Sequence, residues 1–380
     1  EEGAVGYVMP RLYGLLGNVL FQVAAAAALA WDLDAIRWAG RRWRPVLLLP
    51  QDQIQAGKTW ASSLLSSPDI PRLTPHELHQ AVDDWVVLRE GACHICFHNL
   101  TQAIVHGPSR GEAVAPLRAL RHPSALAQPK ASVVLYGWRQ NYEYHVRHRR
   151  RLRRAMSLPD HLERYVQLRY LQLLEGSGCP PRGPSRNNQS ACRPLETVSV
   201  HVRRGDLLQE NGTLLSTAYY RAALERLSRG RLVLVFSDDV DWCEHGSDSP
   251  FRGLERIRFV RLGVDFLELR LMAMCDHHIV ANSTFSLWAA FLHHVPRWRR
   301  RRSRGGTRRR ATHDKGWRAD VARLAESLGV AGVRPERSRV VCPAVWGRGP
   351  APNNGLGSDQ LYPPDWERVA NTFKVSHSMA

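Results

Sequence analysis

Between residues 198 and 293 short β-branched runs alternate with helical stretches, and this alternation constrains the fold more than any other feature of the 380-residue chain. Residues 198–202, 232–236, 257–260 and 278–281 have the length and composition of buried strands. Residues 218–227, 266–275 and 284–293 carry helical patterns between and after them. Strands separated by helices pair in parallel, and a parallel sheet is covered on both faces. The expectation is a doubly wound α/β sheet, in which ligands sit outside the carboxyl ends of the strands.

One such end reads HVRRGD, residues 201–206. Neighbouring strand residues point to opposite faces, so Arg203 and Arg204 cannot both enter one apolar core, and burying either unpaired is costly. An arginine fork matches phosphate oxygens at two points, which suggests an anion. Taken alone, the six residues also suit a surface turn or an adhesive Arg204-Gly205-Asp206 tripeptide. Near the amino end, residues 7–9, the loop GLLGN at 14–18 and residues 19–30 read as strand, glycine loop and helix. Such a loop offers backbone N–H groups and the helix's positive end to an anion, or simply permits tight packing. Further strands are predicted at 46–49 and 133–136. A helix is predicted over 141–174, with 147–154 as a solvated basic face.

The net charge of +18 invites a nucleic-acid reading, but lysine occurs only at 58, 130, 315 and 374. Enrichment in arginine, alanine and glycine has a compositional origin, which leaves only a general attraction to acidic surfaces. The stretch PRWRRRRSRGGTRRR at 296–310 is read as an arginine-rich surface insertion in preference to a localisation signal or nucleic-acid patch, because no aromatic-bearing binding module surrounds it. Residues 176–194, dense in Pro, Gly, Ser and Asn, form the clearest linker. Within it Cys179 and Cys192 suit a disulfide if the compartment is oxidising, whereas Cys93-His-Ile-Cys96 is half a zinc site without a second half. Sequons stand at Asn99, Asn188, Asn211 and Asn282. The apolar run 21–31 is too short for a membrane span, so a membrane anchor is expected only upstream of Glu1.

Taken together, GLLGNVLFQVA (14–24), GWRQNY (137–142), HVRRGD, Phe236-Ser237-Asp238-Asp239, LRLMAMCDHHIVANSTFSLWAAF (269–291) and YPPDW (362–366) resemble the α-1,2-fucosyltransferases of glycosyltransferase family 11. The resemblance covers nearly the whole chain apart from 176–194 and 296–338. It implies a GT-B-like α/β fold of two Rossmann-like, doubly wound domains facing across a cleft. The implied domains are an acceptor-side domain at 1–175, a linker at 176–195, a donor domain at 196–345 holding the 296–338 insertion, and a tail at 346–380 that packs back. It implies inverting, metal-independent transfer of L-fucose from GDP-fucose to a galactose-terminated glycan, with no cofactor and no nucleic acid. A Golgi location would follow if the source is eukaryotic.

By the same resemblance Arg203 stabilises the leaving diphosphate, while Arg204 pairs internally or supports the turn. His201 reaches the ribose or guanine, Gly205 lets the chain pass close to the ligand and Asp206 orients the loop. Asn282, Ser283, Thr284 and Phe285 form the phosphate-binding helix start. Glu268 stands where relatives place a guanine-reading aspartate, and Asp238 and Asp239 contact the ribose or nearby loops. Gly14, Gly17 and Asn18 form the amino-terminal loop beside the sugar, followed by Val19 where glutamine is usual. For the acceptor proton two routes stay open: Asp206 as general base, or a loose oxocarbenium-like path that scarcely needs one. Four rival readings are carried forward. One is a metal-dependent enzyme using the DxD of Asp239-Val240-Asp241. A second is a fucosyltransferase of another linkage or acceptor. The third is a non-catalytic basic protein binding nucleic acid or acidic glycans through 147–154 and 297–310. The fourth keeps the fold with catalysis lost, on the departures at Val19, Glu268 and Leu287.

Overall fold

The computed structural model of the chain describes residues 5–37, 40–48, 67–82, 84–89, 131–177, 195–208, 214–299, 316–331, 337–347 and 361–373. They fall into two α/β units, Glu1–Leu158 with Gly349–Pro364 and Pro159–Arg348 with Asp365–Ala380. The division between these units falls after Leu158, 17 residues before the expected boundary at 175.

In the first unit β1 (Val5–Pro10) leads through the glycine loop into α1 (Leu16–Ala35), followed by β2 (Arg42–Pro45). The short β3 (Leu47–Leu48) and β4 (Arg72–Leu73) pair apart from the main sheet, and α2 (Pro75–Ala81) follows. With β5 (Asp84–Arg89) and β6 (Ala131–Tyr136) the main sheet has the order β2-β1-β6-β5, parallel throughout. The apolar run at 21–31 belongs to the 20-residue α1, long and apolar enough to cross a membrane yet largely buried in its own unit. Ala24 to Ala28 are at most 1% exposed, so small side chains let the helix lie close on β1 and β2. A larger residue there costs about 1–3 kcal/mol in strain.

The helix predicted over 141–174 is interrupted. Two 3-10 turns, Tyr142–Tyr144 and Val146–His148, precede α3 (Arg149–Ala155), and α4 (Asp160–Leu174) starts after Pro159. Helix α3 stops at Ala155, and Pro159 keeps Leu158 out of the helical region until α4 begins. Asp160 and Glu163 in the first turn of α4 then favour its restart. The basic face is not simply solvated either. Arg147 and His148 pair with Asp32, and the Arg151 guanidinium lies 4.1 Å over the Trp31 ring.

The second unit contains α4, β7 (Thr197–Val202), α5 (Thr217–Leu227), β8 (Leu232–Ser237), α6 (Val240–His245) and β9 (Ile257–Phe259). It continues with α7 (Asp265–Met272), β10 (His277–Ile279), α8 (Thr284–Phe291), α9 (Trp317–Ser327), β11 (Val340–Pro343) and β12 (Glu367–Val369). Its sheet is parallel throughout in the order β12-β11-β10-β7-β8-β9. Counted from β7 this is 6-5-4-1-2-3, so the direction of winding reverses between β7 and β10.

Helix α4 belongs to this unit because Glu163 accepts from Arg270 Nε at 2.8 Å and Nη2 at 3.1 Å, both side chains being buried, and the Tyr170 hydroxyl is 2.8 Å from Thr197 Oγ1. Arg299, expected on a surface insertion, is also corrected: it is 0% exposed and gives Nη1 to both Asp276 oxygens at 2.8 and 2.6 Å. Residues 300–315 of that insertion, the cysteines at 93, 96, 179 and 192, and the sequons at 99, 188 and 211 lie outside the described residues.

Candidate functional site

All six residues of β7 are buried, as a strand covered on both faces requires. The ladder to β8 runs in register to its last pair, Val202 with Ser237. Past that pair Asp238 Oδ1 accepts the Arg204 N–H at 2.8 Å, and Oδ2 accepts the Gly205 N–H at 3.0 Å. A Cβ on Gly205 would stand 2.9 Å from that Oδ2, so a side chain there would push on the carboxylate that holds the turn.

Asp239 takes Arg204 Nε at 2.9 Å on Oδ2, while its Oδ1 accepts the Trp242 N–H at 3.1 Å and caps α6. The Arg204 guanidinium lies 3.7 Å from the centre of the Trp242 ring. The partners of Asp238 and Asp239 are therefore groups of the turn itself, where ligand contacts were also expected. Asp241, the other half of the DxD, pairs with Arg261 at 2.9 Å.

Arg203 is held differently. Its Nε donates to Asp206 Oδ1 at 3.0 Å and its Nη2 to Oδ2, with a quarter of the side chain exposed. The Arg203 hydrogen bond holds the Asp206 carboxyl below its ordinary range, against a smaller opposing effect of burial.

The second strand end at the reversal point is that of β10. Residues 280–283 lead from it into α8, with Ser283 as N-cap. The Ser283 hydroxyl makes no cap bond to its own helix. Ser286 Oγ instead accepts the Ala281 N–H and donates to the Ser283 carbonyl, both at 3.2 Å, which shapes the entry. Asn282, Ser283 and Thr284 are 7, 3 and 7% exposed, so this sequon asparagine is buried. The Phe285 ring reaches back to His201, centroids 5.3 Å apart, and so joins the ends of β10 and β7. His201 is buried, and its Nδ1 has no hydrogen-bond partner among the described residues. Burial, helped by the charge of Arg203, pushes its pKa down to about 3, so the imidazole is neutral at physiological pH.

Glu268, in the first turn of α7, accepts the Leu262 and Gly263 N–H groups on Oε1 at 3.0 and 3.1 Å. Burial raises its pKa, those two bonds lower it, and Asp265 raises it again, for a net upward shift. Its carboxylate thus fixes the loop that enters α7.

In the first unit the adjacent ends of β1 and β6 carry the glycine loop and residues 137–141. Gly14 sits at φ +82°, and a Cβ there would meet Asn18 Nδ2 at 2.8 Å and Trp138 at 2.9 Å. Gly17 and Val19 are both buried in the first turn of α1. Asn18 Oδ1 accepts from Gln140 Nε2 at 2.8 Å. Gln140, only 7% exposed, was not singled out from sequence, although the GWRQNY stretch contains it.

Chemically, the β7–β10 edge gathers a partly exposed guanidinium, a neutral imidazole, a helix start and a hydroxyl unused by its helix. That set suits an anion attached to a polar heterocycle or sugar.

Residues 124–295 match the family model "Glycosyl transferase family 11". The chain is 27% identical over 171 residues to an alpha-1,2-colitosyltransferase of Escherichia coli, covering 43% of this chain and 52% of that protein. It is 29% identical over 152 residues to galactoside alpha-(1,2)-fucosyltransferase 1 of Homo sapiens, covering 38% of each. The chain thus spans about half or less of the length of these relatives. A crystal structure of the fucosyltransferase NodZ from Bradyrhizobium aligns at 14% identity and a TM-score of 0.41, over 77% of this chain and 93% of that one.

Proposed function

We propose that the chain, whose residues 124–295 match the family 11 glycosyltransferase model, transfers L-fucose from GDP-fucose to the 2-hydroxyl of a terminal galactose with inversion. The observation that carries this reading is the edge where β7 and β10 end: the HVRRGD turn and the ANSTF helix start meet there, at the reversal of the sheet. In an open α/β sheet that crevice is the ligand position. Both relatives are alpha-1,2 transferases by name, which supports the linkage.

In this reading the second unit binds the donor, and the first is the acceptor-side unit. As the fucose–phosphate bond breaks, negative charge grows on the diphosphate. Arg203 stabilises that charge in the transition state, with the start of α8 and the Ser283 and Thr284 groups beside it. His201, held neutral, serves as a hydrogen-bonding group toward the nucleoside without adding charge. Glu268 offers its second oxygen toward guanine while Oε1 holds the loop. Asp206 is the carboxylate that takes the acceptor proton once the donor has drawn Arg203 away from it. No divalent ion takes part. Asp239 and Asp241 engage Arg204 and Arg261, which supports a scheme in which guanidinium replaces metal.

The deciding experiment incubates purified chain with GDP-fucose and a β-galactoside panel, with and without EDTA, beside Arg203→Ala. GDP release that survives EDTA and disappears in the variant is the expected result. Absence of both turnover and GDP-fucose binding would remove the donor assignment and favour a basic binding protein.

A further inference from the structure

We infer that Asp238 is a positioning residue, gripping the backbone of the Arg204-Gly205 turn so that Arg203 is aimed at its anion, and is not itself a donor contact. The anion's identity rests on the GDP-fucose reading; the grip does not. The β7–β8 ladder closes at Val202 and Ser237, so the next amides of the turn have no strand partner to bond. Asp238, one residue beyond the ladder, supplies that partner with its side chain. Each oxygen takes one N–H, from Arg204 at 2.8 Å and Gly205 at 3.0 Å. Charge-assisted bonds of this kind are stronger than neutral ones.

The neighbouring residues complete the grip. The Asp239 N–H bonds Ser237 Oγ at 2.9 Å, and the Asp239 carboxylate holds the Arg204 side chain against Trp242. Arg204 is thus fixed by main chain and side chain together, with 12% of the side chain exposed. Arg203, which precedes it, inherits the backbone direction while keeping its guanidinium partly open. Gly205 belongs to the same device, since any Cβ would press on Asp238 Oδ2 at 2.9 Å. Replacing Asp238 with Asn puts an NH₂ group against one of the two amides and breaks one of the bonds.

The test uses full-length Asp238→Asn, with Gly205→Ala as a second approach to the same contact. Three readouts are taken: hydrogen exchange of the 201–208 peptide, calorimetric binding of GDP and of GMP, and the Asp238→Asn/Arg203→Ala double variant. The expected result is exchange faster by about tenfold in that peptide alone, GDP binding weakened by about tenfold and GMP binding unchanged. In the Arg203→Ala background Asp238→Asn should cost nothing further, because its effect passes through Arg203. Unchanged exchange, equal weakening of GMP and GDP, or additive losses in the double variant would each overturn the proposal. If the parent chain binds neither nucleotide, the donor reading falls, while the exchange measurement still decides the role of Asp238.

Discussion

Arg203 and Asp206 face each other in a two-point ion pair just past the end of β7, with Arg203 Nε 3.0 Å from Asp206 Oδ1. A diphosphate seated on Arg203 has to displace or share that carboxylate. Asp206→Asn is therefore expected to tighten GDP binding roughly threefold to fivefold, the worth of a partly exposed ion pair, while transfer slows. Calorimetry with GDP and a transfer assay on the same preparation check both halves. Under the proposed transfer, Arg203→Ala should lose about 10²–10³ in turnover, the usual cost of removing one transition-state donor. Arg203→Lys should fall between, since it keeps the charge and loses the fork.

Burial of His201 sets a pH dependence of stability. The unfolded chain binds a proton at this site below its ordinary pKa of about 6.5, whereas the folded chain resists until about 3. Stability is complete above pH 6.5 and falls as pH drops toward 3, because the unfolded state binds more protons. His201→Gln should flatten the slope of the urea midpoint between pH 7 and 4. His145, also pushed down to about 3 by burial and by His148, adds to the slope in the other unit and remains in that variant. Asp206 acts lower: its depressed carboxyl contributes stability above the ordinary aspartate range, lost as pH falls below it.

Arg299 and Asp276 form a buried ion pair in which Asp276 Oδ2 also accepts Thr197 N–H at 2.8 Å and Oγ1 at 2.9 Å. Removing one partner leaves a buried charge unpaired, so Arg299→Ala should cost about 3–5 kcal/mol. Chemical denaturation, with Arg337→Ala at an 88% exposed side chain alongside, gives the comparison.

Most of the second unit was legible in the sequence because its signals are local. Apolar runs such as 232–236 and 278–281, punctuated by polar turns, dictate both strand and order, and their carboxyl ends point to the edge where His201 and Ser283 lie. What escaped depends on partners distant in sequence. Nothing in a row of arginines marks Arg299 as the one that meets Asp276, 23 residues away. Gln140 gains its meaning only from Asn18, 122 positions earlier. Asp238 and Asp239 look alike in sequence, and only the register at Val202–Ser237 sends one to the backbone and the other to Arg204.

Three described cysteines, Cys243, Cys275 and Cys342, are free and buried. Burial raises all three thiols, Cys243 to about 11 and Cys342 to about 12. The thiolate is the reactive form, so these sites should stay unmodified by iodoacetamide in the native protein and react after denaturation. Peptide mass mapping before and after urea provides the check.

The chain's path through its two units has a consequence for the order of events at the ribosome. After β11 it contributes residues 361–364 to the first unit and returns to lay β12 at the edge of the second sheet. Neither unit can be completed from an uninterrupted stretch of nascent chain. Both remain open until residues 361–369 have emerged, and Leu361 and Tyr362, at most 1% exposed in the finished protein, reach their places only then. Closure of both units is thus tied to residues 361–369, and a nascent chain stalled before them should be far more sensitive to protease than one that carries them.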